Sequence, residues 1–316
     1  MNSLEVRPKT RAARSKTVAL GLAVVGFVAS LAACGGPSDG KKAEEGGGTH
    51  TVEHARGVAE VIAKTDKVVT LEPLELDTAV ALGITPLGAA VASNVDGIPD
   101  YLEVEGVESV GTVPEPDLEA IAALDPDLIL GTESRHSALF EELDSIAPTV
   151  FIASHADSWK DNALLIGDAL DRKEDTEALL AEVDERCESI KSTYGIDGET
   201  AQMIRPRDET TLSLYGPASF AGSLLECVGY TIPEQDWADG LQADLSPENA
   251  IDAKADAVFV TAEDVDDPAA IPEVVGGNTD AFPSVTPVDT SYWVSGVGPK
   301  GAHKVLDDIE KYLDAR

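Results

Sequence analysis

The sequence predicts an α/β protein of two α/β lobes with mostly parallel sheets, joined by a single long helix. Short apolar segments alternate with helical segments before residue 171 and again after residue 195. This order is typical of parallel strands that helices cover on both faces. The stretch 171–195 has helical periodicity. In addition, one sequence pattern occurs once on each side of that stretch.

The central stretch has the expected signals for a long helix. Asp171 and Glu174 predict a capping box, and Gly195 predicts a left-handed stop. The residues predicted to share its buried face are Thr176, Leu179, Val183, Cys187, Ile190 and Tyr194. At a rise of 1.5 Å per residue such a helix spans about 30 Å. It either joins two lobes or is an ordinary crossover helix in one large sheet.

A repeated pattern favours the first of these readings. Residues 118–130 and 247–259 align without gaps at an offset of 129. Glu119 and Glu248 hold the same place in the two copies, at the start of a predicted helix. An acidic residue in a first helical turn is favoured by the helix dipole, and this stabilisation alone could explain why both positions are glutamate. Alternatively, the two glutamates are matching exposed carboxylates, one per lobe, that contact a two-sided partner.

Strands and helices are predicted from the periodicity of apolar residues and from the turn-forming residues that separate the apolar segments. The predicted strands are a hairpin at 49–61 and strands at 67–71, 84–90, 107–111, 128–131, 149–153, 201–205, 212–215, 257–261 and 285–288. The predicted helices flanking the central one are 74–82, 117–124, 137–146, 159–170, 219–228, 247–253, 268–275 and 301–313.

The N-terminus reads as an export signal. A basic start precedes the apolar run 18–29, which is too short to be a comfortable membrane span. Leu-Ala-Ala-Cys34 then resembles the lipobox of bacterial lipoproteins, in which the cysteine receives a diacylglycerol and becomes the mature N-terminus. We therefore expect a lipoprotein signal peptide at 1–33 and a flexible Gly-, Lys- and Glu-rich tether at 34–48. The alternative is a plain secretory signal with an incidental cysteine.

The charge of the chain excludes one class of partner. There are 23 basic and 58 acidic residues, for a formal net charge of −35. Nucleic-acid binding needs a basic surface that neutralises phosphates, so no nucleic acid is expected as a partner.

No enzyme motif is found. The G-x-G-x-x-G at 296–301 is rejected as a dinucleotide site, because only 15 residues follow Gly301 and leave no room for a second strand. Neither G-x-S-x-G nor a P-loop occurs. The sequence therefore predicts no catalytic residues and no enzyme activity.

Metal-ligating residues are dispersed as well. His50 and His54 have an i, i+4 spacing, but the segment is predicted to be extended, which holds the two rings too far apart to share an ion. There is no C-x-x-C, so neither a metal site nor a cofactor is expected. Cys187 and Cys227 are expected to be two buried thiols rather than a disulfide, since Cys187 has an apolar helical position.

Arginines point to a binding site. The chain after Cys34 has seven, and Arg135, Arg205 and Arg207 are in predicted loops at strand ends. Strand ends are where open α/β sheets bind ligands, and a guanidinium holds oxyanions with paired hydrogen bonds. The alternative is surface ion pairing with the many carboxylates. Tyr292 and Trp293 either line the same cleft or pack in the core.

The order of these segments resembles a family, the bacterial substrate-binding lipoproteins of iron-siderophore ABC importers, which have the class III binding-protein fold. The resemblance covers most of residues 50–316. The segments that carry it are 67–71, 111–129, 146–150, 214–220, 245–248 and 293–302.

The resemblance implies an N-terminal lobe at 49–155, a linking helical segment at 156–195 with one rigid helix, and a C-terminal lobe at 196–316. A ferric siderophore would bind in the cleft between the lobes, with little hinge closure and no further cofactor. The expected partners are an ABC permease with its ATPase, and the outer face of the cell membrane through lipid on Cys34; the protein itself is expected to be a monomer. The alternative ligands within this fold are haem and cobalamin.

The resemblance also implies residue roles. Glu119 and Glu248 match the two glutamates that dock onto permease arginines, one per lobe. The residues expected to contact the iron complex are Arg135, Arg205 and Arg207, with Tyr215, Trp237 and Trp293 as aromatic walls. The segment 71–73 departs from the pattern, since relatives often have an aromatic residue there and this chain has Leu-Glu-Pro.

Overall fold

A computed structural model describes residues 48–316 except 94, 96, 209 and 239. The predicted signal peptide, Cys34 and nearly all of the tether lie outside the described residues. No helix in the part of the chain that is described is long and apolar enough to cross a membrane.

The strands and helices alternate as the sequence predicts. The strands are β1 (Thr49–His54), β2 (Gly57–Ile62), β3 (Val68–Thr70), β4 (Gly88–Val91), β5 (Glu108–Thr112), β6 (Glu115–Pro116), β7 (Leu128–Thr132), β8 (Thr149–Ile152), β9 (Ala201–Asp208), β10 (Thr211–Tyr215), β11 (Gln242–Leu245), β12 (Ala257–Ala262) and β13 (Val285–Asp289). The α-helices are α1 (Pro73–Ala81), α2 (Leu118–Ala123), α3 (Glu133–His136), α4 (Phe140–Ile146), α5 (Trp159–Ala169), α6 (Lys173–Tyr194), α7 (Phe220–Cys227), α8 (Glu273–Gly276), α9 (Thr290–Trp293) and α10 (Pro299–Asp314). Short 3₁₀ helices span Asp100–Leu102, Ser137–Leu139 and Pro247–Ala253.

The first large sheet has six strands in the order β6-β5-β4-β3-β7-β8. Its strands pair in parallel except β6, which is antiparallel to β5 at one edge. β7 and β8 are buried along their whole length, as expected for parallel strands that are covered on both faces.

The second large sheet has five strands in the order β11-β10-β9-β12-β13. β12 is parallel to β9 and to β13, whereas β10 is antiparallel to both β9 and β11. The α/β class is thus confirmed, although this sheet is mixed. The sequence analysis missed β11, because Gln-Ala-Asp-Leu lacks the β-branched and aromatic residues that signal a strand.

The connection between the two sheets consists of α5 and α6. The predicted capping box of α6 is wrong, because Asp171 has a left-handed backbone (φ 53°) and the helix begins two residues later. Gly195 ends α6 in the left-handed conformation (φ 62°), as predicted. α6 is packed against α5, α7 and α10, so its buried face is supported along the helix.

One cysteine prediction is also wrong. Cys187 on α6 and Cys227 at the end of α7 form a disulfide, with 5.5 Å between their Cα atoms. An apolar helical position fits a buried thiol and a buried disulfide equally well, and the packing of α7 against α6 is not visible in the sequence.

Two predicted helices differ from the prediction, one in length and one in type. The segment predicted as a helix at 268–275 is helical only over Glu273–Gly276, since Pro272 precedes that helix as its N-cap. Pro247–Ala253 is a 3₁₀ helix rather than an α-helix. His50 and His54 lie on β1, in the extended segment that the sequence predicts.

Candidate ligand-binding site

A cavity of about 590 Å³ lies between the two large sheets and is lined by residues that follow strands of both. On the side of the first sheet, Glu72 follows β3, Arg135 follows β7 and His155 follows β8. These three strands are parallel neighbours, so their carboxyl ends lie at one edge of the sheet. Such an edge is the usual binding position in open α/β sheets.

An ion pair forms the polar part of this wall. The Arg135 Nε atom lies 3.1 Å from the Glu72 Oε1 atom, with the Glu72 side chain only 6% exposed and that of Arg135 38% exposed. The same Nε–H lies 3.4 Å from His155 Nδ1. Burial raises the pKa of Glu72 to about 7, against the opposing effects of the Arg135 charge and the Thr132 hydroxyl. Burial and then the Arg135 charge lower the pKa of His155.

A second glutamate lies directly beneath this ion pair. The Glu75 carboxylate is fully buried and accepts hydrogen bonds from the backbone N–H groups of Leu71 (2.9 Å) and Glu72 (3.0 Å). These bonds hold the turn between β3 and α1, and thereby the backbone of Glu72. Burial, followed by repulsion from Glu72, raises the pKa of Glu75 well above its usual value.

The side of the second sheet is cationic. Arg205 is half-buried on β9, and its Nη1 atom lies 3.4 Å from the hydroxyl of Tyr215 on the neighbouring β10. Arg207 is exposed and two residues further along β9, hence on the same face of the sheet. All three residues line the cavity.

The aromatic residues divide into two groups. Trp293 lines the cavity but is 1% exposed, stacks on Phe259 at 4.9 Å and donates from Nε1 to Asp308 at 2.9 Å. Trp237 is not among the described residues that line the cavity; it packs against the core of the second sheet.

Two lining aromatic residues were missed by the sequence analysis. Trp159 and Phe220 make an edge-to-face contact at 5.2 Å, and both border the cavity. The two residues begin α5 and α7, and a position at the start of a helix that follows a strand could have identified them.

The structure therefore brings together Arg135, Arg205, Arg207, Tyr215 and Trp293 around one cavity. No binding role was predicted for Glu72, which lies in the segment that departs from the family pattern, or for His155. Glu72 directly follows an apolar strand, and the rule that selected the arginines at strand ends would have selected it too. Among the described residues, no group of three or more His, Cys, Asp or Glu side chains is arranged to hold a metal ion.

Glu119 and Glu248 lie elsewhere, at the same position of two helices of different type. Each is exposed and is the second residue of its helix: Glu119 in α2 and Glu248 in the 3₁₀ helix Pro247–Ala253. The Asp117 side chain caps α2 by accepting from the N–H groups of Glu119 (3.0 Å) and Ala120 (3.1 Å).

Comparison with known proteins identifies the family of this chain. The sequence model of the periplasmic binding protein family matches residues 68–281. The chain belongs to the periplasmic binding protein family. Among the relatives of this family member is the "Probable siderophore-binding lipoprotein YfiY" of Bacillus subtilis, 30% identical over 317 residues, which cover 90% of this chain and 94% of that protein. The Fe(3+)-citrate-binding protein YfmC of the same organism is 27% identical, over 72% of this chain and 73% of its own length.

Solved structures confirm the fold of this periplasmic binding protein. Staphylococcus aureus SirA in complex with staphyloferrin B has a TM-score of 0.72 and 26% identity, covering 84% of this chain and 99% of SirA. The petrobactin-binding protein YclQ of Bacillus subtilis has a TM-score of 0.68 at 24% identity, with 84% and 99% coverage, which supports the fold alone. These relatives are named as binding proteins rather than as enzymes.

Proposed function

We propose that this chain is an extracytoplasmic substrate-binding lipoprotein that captures a ferric siderophore and delivers it to the permease of an ABC importer. The observation that carries the proposal is the cavity between the two large sheets. It has Arg135 on one wall and Arg205 and Arg207 on the other, in a chain whose formal net charge is −35.

The chemistry of such a ligand fits these walls. Siderophore oxygens fill the coordination shell of the iron, so the protein recognises the outside of the complex by charge, hydrogen bonds and aromatic contact. Arg205 and Arg207 supply charge-assisted hydrogen bonds to anionic oxygens. Trp159, Phe220 and Tyr215 supply apolar and aromatic surface along the same cavity.

The relatives support the same class of ligand. They include proteins named for Fe(3+)-citrate, petrobactin and achromobactin, and a solved structure that contains staphyloferrin B. A relative at 30% identity that covers 90% of this chain is named as a siderophore-binding lipoprotein.

Delivery needs a membrane partner and a position near it. We propose that the permease contacts Glu119 and Glu248, which are exposed at matching helix starts. A lipid on Cys34 would hold the protein at the outer face of the cell membrane, with the tether allowing the monomer to reach the permease and its ATPase.

A fluorescence titration tests ligand capture. The chain has three tryptophans, of which Trp159 and Trp293 line the cavity, so a ligand there should quench their emission. The titrants are ferric complexes of a catecholate, a hydroxamate and citrate, and also haem and cobalamin. Saturable quenching by a ferric complex, and none by haem or cobalamin, is the expected result. Quenching by haem or cobalamin alone, or by none of the titrants, would contradict the proposal.

Matched arginine variants locate the binding. Arg205→Gln should weaken binding of an anionic ferric complex by about tenfold or more, because a half-buried guanidinium that holds an anion is lost. Arg56 pairs with Glu133 and is not among the described residues around the cavity, so Arg56→Gln should bind like the parent protein.

A further inference from the structure

The cavity contains a carboxylate that an anion-binding site does not need. Glu72 lines the wall on the side of the first sheet, although the residue is only 5% exposed. Its backbone is fixed as the N-cap of α1, and the Glu75 carboxylate accepts its N–H at 3.0 Å. The Glu72 side chain is thus built into the wall rather than swinging freely on the surface.

Glu72 reduces the net positive charge that Arg135 presents to a ligand. The Arg135 Nε–H donates to His155 Nδ1 at 3.4 Å, and the Glu72 Oε1 atom pairs with the same nitrogen at 3.1 Å without accepting a hydrogen bond from it. No described residue accepts a hydrogen bond from the two terminal amino groups of Arg135, so these remain available to a ligand. A ligand that approaches Arg135 therefore meets a guanidinium whose positive charge is already offset by a neighbouring carboxylate.

The two walls consequently differ in charge. Arg205 and Arg207 face the cavity from the second sheet, and among the described side chains the only hydrogen-bond or ion-pair partner of either is the Tyr215 hydroxyl, which accepts from Arg205. The opposite wall has one cation, Arg135, and one buried anion, Glu72. Among the described residues around the cavity, the other carboxylate is that of Asp157, which is exposed and is screened by water.

Because Glu72 is buried, its charge interacts strongly with charged groups of a ligand. A carboxylate in a protein interior is screened far less than one in water, so a second carboxylate placed against it is repelled strongly. Conversely, a buried carboxylate gains from a hydrogen-bond donor or a cation, because such hydrogen bonds are about twice as strong as neutral ones.

We propose that Glu72 is a selectivity residue that makes the cavity prefer ferric complexes of mixed character. Such a ligand presents anionic oxygens to Arg205 and Arg207, and an O–H, N–H or ammonium group to Glu72. Complexes whose free groups are all carboxylates are disfavoured on that wall. This inference rests on the proposed function, and it narrows the class of siderophore.

Two iron complexes of opposite character test it at about pH 8, where the Glu72 carboxylate is ionised. Ferric citrate presents carboxylates only, and ferric desferrioxamine B carries a free ammonium group. Glu72→Gln keeps the size and hydrogen-bonding capacity of the side chain and removes its charge. We expect Glu72→Gln to bind ferric citrate about tenfold more tightly than the parent protein, and ferric desferrioxamine B about tenfold more weakly.

Glu141→Gln is the matched control, since it removes an exposed carboxylate that is not among the described residues around the cavity. It should change either affinity by less than about twofold, because exposed charges interact weakly. Glu72→Ala is the second variant, and its ratio of the two affinities should move in the same direction. Thermal unfolding followed by circular dichroism verifies that each variant is folded.

The outcomes separate two failures. If the parent protein and folded Glu72 variants bind these complexes with the same ratio of affinities, or if Glu141→Gln shifts that ratio as much, Glu72 does not set selectivity although the proposed function stands. If neither the parent protein nor any folded variant binds either complex, this inference is overturned; the proposed binding of ferric complexes is overturned as well if the ferric catecholate also fails to bind.

Discussion

The Asp77 carboxylate accepts a hydrogen bond from the backbone N–H of Gly301, 224 residues away in sequence, at 2.8 Å. It also accepts from the N–H of Lys300 at 2.8 Å and from the Tyr101 hydroxyl at 2.8 Å. Asp77 belongs to α1, beside the first sheet, and the two N–H groups belong to the first turn of α10, so a fully buried side chain caps a helix from the other end of the chain.

Removing this cap should be costly. Asp77→Ala leaves two helix N–H groups and a buried hydroxyl without their acceptor, and we expect the free energy of unfolding to fall by about 2–4 kcal/mol. Urea denaturation measures it. Asp280→Ala, at an exposed position, should change stability by no more than about 0.5 kcal/mol. Equal stabilities for the two variants would show that the contact between α1 and α10 contributes little.

The raised pKa of Glu72 predicts a pH dependence of stability. Its pKa is about 7 in the folded protein against an ordinary 4.5, because of burial. Between these values the folded state holds the proton more tightly than the unfolded state. The free energy of unfolding should therefore fall as pH rises through this window, by about 3 kcal/mol from this group, and should not change further above it.

Denaturation of the parent protein and of Glu72→Gln at about pH 5 and about pH 8 isolates this effect. Arg135 is the cation facing Glu72, and Glu75 and His155 are present in both proteins. Because Glu72 also raises the pKa of Glu75, the comparison measures the effect of Glu72 together with its effect on Glu75. The stability of the parent protein relative to Glu72→Gln should be lower at pH 8 than at pH 5. Parallel pH profiles would mean that Glu72 has an ordinary pKa.

The disulfide should stabilise the packing of α6 against α7. Cys187 and Cys227 are separated by 40 residues, and cross-linking a loop of that size restricts the unfolded chain by about 4 kcal/mol. Addition of reductant should lower the free energy of unfolding by about 2–4 kcal/mol. The double variant Cys187→Ala, Cys227→Ala is the control and should not respond to reductant. A parent protein that is equally insensitive would indicate that the two thiols are not bonded.

If Glu119 and Glu248 dock onto the permease, their replacement should impair uptake without affecting ligand binding. Replacing both with alanine should leave the affinity for a ferric complex unchanged, since neither is among the described residues around the cavity, and should reduce uptake by cells at least about tenfold. Glu141 and Glu273 are also exposed acids in first helical turns, so their double alanine variant is a matched control. Normal uptake by the Glu119, Glu248 variant would refute the docking role.

The sequence predicts the α/β fold of this chain better than it predicts the edge strand and the contacts between distant segments. Parallel strands such as β7 are continuous apolar runs, so their positions follow from composition, and the strand-end rule finds Arg135, which lies in α3 directly after β7. Arg205 and Arg207 line the cavity as well, but the predicted loop is wrong, because both lie on β9. The edge strand β11 is short and polar, and its pairing is fixed only by its neighbour β10.

Contacts between segments that are distant in the chain could not be predicted from the sequence, for a related reason. The Cys187–Cys227 disulfide and the contact between Asp77 and Gly301 depend on how helices pack, which local periodicity does not encode. The contact of Trp237 with ligand stays a prediction; this residue of a loop region is half-buried against the core of the second sheet and is not among the described residues around the cavity. Loop composition does not say which way a large side chain turns.

The most direct test of the account is to locate iron in a crystal of the complex. Anomalous diffraction at the iron absorption edge, from protein crystallised with the ferric complex that quenches its fluorescence most strongly, gives the position of the metal. We predict one iron between Arg135 and Arg205, in the cavity of about 590 Å³, with every iron ligand supplied by the siderophore. Iron outside this cavity, or bound directly by protein side chains, would contradict the account.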